Sequence, residues 1–176
     1  MLTVDDLEPG DLLITEWMPN PTCASDACEW IEIYNTTALP IELLGLGVRV
    51  GGGSPTATVE TQYVLPPGEF AVLDTGGSWP YPEAPDVTFS GSFAMPNDPA
   101  SYFIKIGVGL TEFDRTATIS DPGGPDTEGV SLSLDPDSFD SVASLEATAW
   151  CRSTTLLLDE MPPEFGTPGA ANDQCD

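Results

Sequence analysis

Carboxylates are the side chains best placed to do chemistry in this sequence. It contains 29 Asp and Glu against 4 Lys and Arg, and it has no His. Three acidic groupings stand out. Asp135, Asp137 and Asp140 have D-x-D-x-x-D spacing, Asp121, Asp126 and Glu128 flank a Gly/Pro loop, and Asp5, Asp6, Glu8 and Asp11 crowd the N-terminal end. Hard oxygen ligands on flexible loops are what Ca²⁺ requires. The fit to an EF-hand is partial, because neither its central Gly nor its terminal bidentate Glu is in register. The plainer reading of the same residues is solvated surface charge, with Asp135 as a helix N-cap. Both readings stand at this level, with calcium the one cofactor to be considered.

Paired carboxylates are also the machinery of glycoside hydrolysis. Glu29 and Glu32 do not suit it, since residues three apart on a strand point to opposite faces. Glu16 and Glu29 can approach across neighbouring strands. A structural role fits Glu29 better: Glu29 and Asn35, on the core-facing parity of one strand, would satisfy backbone groups at its two ends. The absence of His removes His general bases, Ser-His and Cys-His pairs and His-ligated zinc. Ser90, Ser92 and Ser131 have no evident partner base, so no catalytic residue is expected and the chain reads as a non-enzyme. Asn35-Thr36-Thr37 has the form of a glycosylation sequon.

The net charge of −25 bounds the partners. Such a surface repels phosphate, which argues against nucleic acid and anionic lipid. Arg49, Lys105, Arg115 and Arg152 are too few to promise a patch, and each is expected to pair with a neighbouring carboxylate. No apolar run is long enough to span a bilayer, so membrane insertion is not expected. Trp79 and Tyr81, in a Pro-rich excursion, are candidate binding residues for a protein or a surface polysaccharide; the alternative is that they cover a second face of the fold. Trp30 is a weaker candidate of the same kind. The sequence is silent on oligomeric state.

Four cysteines fall into two local pairs, Cys23 with Cys28 and Cys151 with Cys175. Neither has zinc-finger spacing, so disulfides are the simpler reading, and the local pairing is favoured by short loop closure. Met1-Leu2-Thr3-Val4-Asp5-Asp6 lacks a basic n-region and an apolar h-region, which alone reads as cytoplasmic. The cysteines argue instead for an exported protein, extracellular or at the cell surface.

The elements that must position these residues are short strands. Asp11–Trp17 alternates, with Leu12, Ile14 and Glu16 on one face and Leu13, Thr15 and Trp17 on the other. Glu29–Asn35 alternates too, Ile31 and Ile33 facing the core, Glu32 and Tyr34 away from it. Further strands are predicted at Ile41–Val50, Thr58–Leu65, Glu69–Leu73, Ser101–Val108 (Tyr102, Ile104 and Ile106 on one face), Leu110–Ile119, Val130–Leu134 and Thr148–Ser153. Ser78–Phe89 reads as an excursion. Gly and Pro number 17 and 18, well above the average of roughly 12% combined, and leave little room for helix. One short helical turn is predicted after Asp135, where Pro136 takes the first helical position. About nine strands in one domain spanning residues 1–176 describe a β-sandwich or barrel.

Several segments, in order, are similar to the lamin tail domain in its bacterial exported branch. Gly10–Glu16 followed by Met18-Pro19-Asn20-Pro21 resembles that family's first strand and turn. Glu29-Trp30-Ile31-Glu32-Ile33-Tyr34-Asn35 resembles its most recognisable strand, and Leu65–Leu73 the turn and strand that follow. Gly129-Val130-Ser131-Leu132 resembles its G-x-S-L strand. Trp150-Cys151 with Gly166-Thr167-Pro168-Gly169-Ala170-Ala171-Asn172 resembles its closing signature. The resemblance implies an immunoglobulin-like β-sandwich of Greek-key type and no catalytic residues. It also implies a binding or structural module, mediating protein–protein contact or surface attachment. The cysteines, the acidity and the lack of a coiled-coil segment separate this chain from the nuclear members of that family. The alternative function is a calcium-stabilised carbohydrate- or matrix-binding domain.

Overall fold

Short alternating segments cut by Gly and Pro can satisfy their backbones only by lateral pairing, and the computed structural model is all-β. It describes residues 1–23, 28–77, 79–97, 100–160 and 162–175. Ser78, at the start of the predicted excursion, lies outside them.

The strands are β1 (Leu2–Thr3), β2 (Leu12–Met18), β3 (Trp30–Asn35), β4 (Ile41–Glu42), β5 (Gly47–Val50) and β6 (Ala57–Val59). Next come β7 (Val64–Leu65), β8 (Phe70–Asp74), β9 (Val87–Gly91), β10 (Ser101–Tyr102), β11 (Ile104–Val108) and β12 (Thr111–Arg115). The series ends with β13 (Ile119–Ser120), β14 (Leu132–Leu134), β15 (Trp150–Arg152), β16 (Leu156–Leu158) and β17 (Glu164–Phe165). Four predicted strands are divided, among them Ser101–Val108 into β10 and β11 and Leu110–Ile119 into β12 and the start of β13. Ile41–Val50 breaks into β4 and β5 because Gly45 turns the chain at φ +93°. Thr58–Leu65 likewise divides into β6 and β7. The excursion ends in a strand, β9, and the helical content of the described residues is single 3₁₀ turns, including Pro136–Ser138.

Ten strands form one sheet in the order β12-β11-β5-β6-β9-β8-β3-β2-β14-β15. The sheet curls until its first strand meets its eighth. Strand β14 pairs only with Trp17 and Glu16, which leaves the N-terminal part of that edge of β2 open. Strand β12 closes it: Gly10 N donates to Phe113 O at 2.8 Å, and Ile14 N donates to Asp114 Oδ2 at 2.7 Å. The curl encloses the main core, which includes Leu12, Ile14, Trp17, Ile31, Ile33, Val48, Ile104, Ile106 and Phe113. A smaller cluster of Met18, Trp30, Val72 and Tyr81 packs on the opposite face of β2, β3 and β8.

One bulge decides which side chains meet. The β2–β3 register slips between Ile14 and Glu16, with Ile14 opposite Ile33 and Glu16 opposite Glu32. An extra residue in one strand inverts the alternation beyond it. Leu12 and Ile14 therefore share the main core with Trp17, while Glu16 turns to the outer face with Met18. The unbroken alternation predicted for Asp11–Trp17 is corrected accordingly.

Both local disulfides are formed, Cys23–Cys28 with Cα atoms 6.4 Å apart and Cys151–Cys175 with Cα atoms 5.7 Å apart. Two such bonds suit an oxidising compartment. Among the described residues no helix is long and apolar enough to cross a membrane.

Candidate functional site

The bulge brings Glu16 directly opposite Glu32 on adjacent strands, and both residues are fully buried. No cation neutralises them; hydrogen-bond donors do. Glu16 Oε1 accepts from the hydroxyls of Ser131 (2.5 Å), Ser133 (3.2 Å) and Ser153 (3.2 Å). It also accepts from Thr167 N (2.9 Å), while Glu16 Oε2 accepts from Thr167 Oγ1 (2.9 Å). Glu32 accepts from Thr15 Oγ1 (2.7 Å) and from Gly169 N (2.7 Å). Loss of hydration pushes the pKa of Glu16 up, against the pull of Ser131 and Thr167. Glu32 rises well above the usual carboxylate range, first through desolvation and then through the charge of Glu16.

Three of these seven donors come from one segment. Residues 166–175 run across the outer face as a strap, and the rest of the fold holds it at five places. Thr167 binds Glu16, and Gly169 binds Glu32. Asn172 donates to Thr15 O (2.7 Å) and Leu134 O (2.8 Å), so it satisfies the carbonyl of the bulge residue. Asp173 accepts from Thr154 N (2.7 Å) and Thr155 N (2.9 Å), and Cys175 is bonded to Cys151. The strap thus closes over two carboxylates that would otherwise face water.

Beside the strap lies a pocket of about 440 Å³. Its walls include Phe70, Trp79, Tyr81, Pro82, Leu157, Pro168 and Gly169, with Glu83 and Asp86 as its charged side chains. Trp79 and Tyr81 meet edge to face, 4.8 Å between centroids at 80°. Both rings are held. Trp79 Nε1 donates to the carbonyl of Glu83, and Tyr81 Oη donates to Glu164 Oε2 at 2.6 Å. Tyr81 is not the exposed loop aromatic of the sequence reading. It is buried, because its ring packs edge-on against Trp30 in the smaller cluster. Trp30 itself is fully covered and offers no binding surface.

The remaining predicted positions fall as follows. Glu29 is buried, and its Oε2 accepts from Met95 N at 2.9 Å. Asn35 donates to the carbonyls of Leu39, Leu65 and Pro66 and accepts from Thr37 N, so its amide, the acceptor of the sequon, is spent inside the fold. Ser131 does have a carboxylate partner, Glu16, although the pair is enclosed. Asp135 Oδ1 caps Asp137 N, and the amide of Gln174 bridges Asp135 and Asp137. Asp140 accepts from the N–H groups of Ala143 and Val142, which hold its pKa low. Asp121 holds a left-handed φ of +50° in the loop, and Asp126 lies in the 3₁₀ turn Pro125–Thr127. Among the described residues no three acidic or cysteine side chains converge as a metal-binding group.

The basic residues depart furthest from expectation. Arg49 lies directly opposite Lys105, and Lys105 directly opposite Arg115, in a row across β5, β11 and β12. Their strand neighbours Val48 and Ile106 point into the main core, so the row faces outward. Lys105 and Arg115 share one acidic partner, Glu112, at 3.8 and 3.6 Å. Arg49 and Arg152 bind carbonyls instead, of Ser54 and Val130. The expected carboxylate partner is found for Lys105 and Arg115, and the strand register gathers three of the four cations, which the expectation of scattered cations did not foresee.

Sequence reasoning missed the Glu16–Glu32 pair because the slip at Thr15 has no compositional mark. The only available signal was three polar segments, Thr15-Glu16, Ser131/Ser133 and Gly166–Asn172, each interrupting or flanking an apolar strand. No protein-family model, no curated protein and no solved structure matches this chain.

Proposed function

We propose that this chain is a non-catalytic binding or structural module of the extracellular space or cell surface, resembling the lamin tail domains. In this reading the two halves of the curled sheet are the layers of an immunoglobulin-like sandwich. The module docks a protein partner at the pocket of Trp79 and Tyr81. The observation that carries it is that pocket: two aromatic rings, fixed by hydrogen bonds at their polar ends, line the wall of one cavity. Rigid aromatics that bury area at little entropic cost are the usual anchors of recognition. The two disulfides support an extracellular setting. The five motifs in family order support the lamin-tail reading, in which no residue is catalytic.

The test is selection of a displayed random-peptide library on the full chain, with the Trp79→Ala variant as counter-target and a glycan array alongside. Peptides that bind the native protein and lose the variant are the expected result. Glycan hits alone favour the carbohydrate-binding alternative, and no difference between native protein and variant on either platform overturns the pocket as the site.

A further inference from the structure

We propose that the Trp79–Tyr81 pocket recognises a basic side chain, lysine or arginine, presented by a partner protein. This rests on the binding reading above and names the chemistry of the occupant.

The polar side chains of the pocket are one-sided. Among the described residues its two side-chain donors are already used, Trp79 Nε1 by the carbonyl of Glu83 and Tyr81 Oη by Glu164. What remains on side chains is acceptor and negative: the carboxylates of Glu83 and Asp86. Asp86 already takes Tyr63 Oη (2.7 Å) on one oxygen and Val72 N (2.9 Å) on the other, which fixes its position at the wall. Each carboxylate oxygen has lone pairs to spare after one such bond. No Lys or Arg lines the pocket, and the chain around it carries a net charge of −25.

These features select among ligands. An anionic ligand would find no cation and no free side-chain donor. A sugar ring presents acceptors as well as donors, and its acceptors would go unpaired against such a wall, which is costly once water is excluded. An ammonium or guanidinium on an apolar stem suits it throughout. The stem packs on Phe70, Pro82 and Pro168, the cation lies against the aromatic wall of Trp79 and Tyr81, and its N–H groups find only acceptors. Negative potential over the whole chain would also speed encounter with a basic partner.

The experiment is a titration of the full, oxidised chain followed by NMR of the Trp79 indole and Gly169 amide signals. The probes are Ac-Gly-Lys-Gly-NH₂, the same peptide with Arg, the peptides with norleucine or Glu in that position, and N-acetylglucosamine. The Lys and Arg peptides are expected to shift both signals and to weaken with NaCl. Norleucine is expected to bind roughly tenfold more weakly, the worth of a partly desolvated cation over aromatic faces. Glu83→Gln, an exposed and conservative change, is expected to weaken the Lys peptide severalfold and leave norleucine alone. Equal binding of Lys and norleucine overturns the proposal, as does a response to the sugar or the Glu peptide only, or no response at all. Library selections that depend on Trp79 but lack Lys and Arg overturn this assignment while leaving the binding reading in place.

Discussion

The outer face of β2 and β3 and the outer face of β5, β11 and β12 belong to one sheet and handle charge in opposite ways. The first buries Glu16 and Glu32 side by side and neutralises them with N–H and O–H groups from the sheet and the strap. The second lines up Arg49, Lys105 and Arg115, three of the four cations available, beside a single shared carboxylate. A cation delivered to the buried pair would need its own desolvation, which often cancels the gain from pairing. Small donors on rigid backbone avoid that cost. They also make the burial conditional, since Thr167 and Gly169 reach the carboxylates only when the strap is in place. The contrast teaches that the closed state of this fold depends on hydrogen-bond donors, while its few cations serve its surface.

The largest expected effect comes from removing the acceptor. Glu16→Ala leaves five hydrogen bonds without their partner and opens a cavity, and about 4–5 kcal/mol of unfolding free energy should be lost in urea titration. Glu32→Gln makes the opposite point. An amide can donate to Thr15 Oγ1 and accept from Gly169 N, and it removes one of two facing charges. It should match or exceed the native stability at pH 8; a loss as large as that of Glu16→Ala would break the comparison.

Acidity is the next lever. Glu16, Glu32 and Asp114 all have folded-state pKa values raised by burial, Asp114 up to about 7. A raised carboxylate favours the fold while protonated, so its contribution is full below pH 4 and is lost as pH climbs through the folded value. For Asp114 alone the change is roughly 3–4 kcal/mol between pH 4 and 8. Tm should therefore fall across that window, and Asp114→Asn should flatten the fall between pH 4 and 7. A Tm that rises with pH would show that the buried carboxylates are ionised at little cost.

Freeing the strap comes third. Replacing Cys151 and Cys175 together by Ser should cost about 3 kcal/mol through the loop-closure entropy of the unfolded chain. Amide exchange should accelerate at Thr167 and Gly169 before it does in β11, which separates loss of the strap from general softening. The smallest effects belong to the cation row. Like charges opposite one another oppose pairing by a few tenths of a kcal/mol, so Lys105→Thr should be nearly neutral. Added NaCl should raise Tm modestly by screening the net charge.

The alternation of Glu29–Asn35 and Ser101–Val108 was legible in the sequence because each keeps its period of two: Ile31, Ile33, Tyr102, Ile104 and Ile106 all enter the main core. Both disulfides were legible from spacing. Other features depend on contacts remote in sequence. Thr15 bulges where Asn172 meets its carbonyl, 157 residues away, and no local pattern records that. The cation row arises from strand register, which composition does not fix. Ile41–Val50 looked continuous because a Gly in a strand and a Gly at a turn read alike until φ is known. At the candidate site the two aromatics were visible as residue types, but the contacts that bury Tyr81 come from Trp30 and Glu164, which are far along the chain, while Trp79 is held locally by Glu83 and Tyr81.

The slip at Thr15 also sets how this chain can tolerate change in length. The two halves of β2 run in antiphase, and Thr15 is the phase shift between them. Deleting Thr15 would restore perfect alternation and leave Trp17 in the core and Glu16 outside it, because the bulge residue is the surplus letter. Drawing Thr15 into the pleat with no letter removed would drive Trp17 out of the core and Glu16 into it. Most single-residue deletions in a surface loop are absorbed locally. Here a one-letter loss at Thr15 keeps the phase of the strand and removes only its contacts with Glu32 and Asn172, while a one-letter insertion elsewhere in β2 would reverse every side chain beyond it, so a gap at Thr15 should be better tolerated than an insertion in the paired stretches.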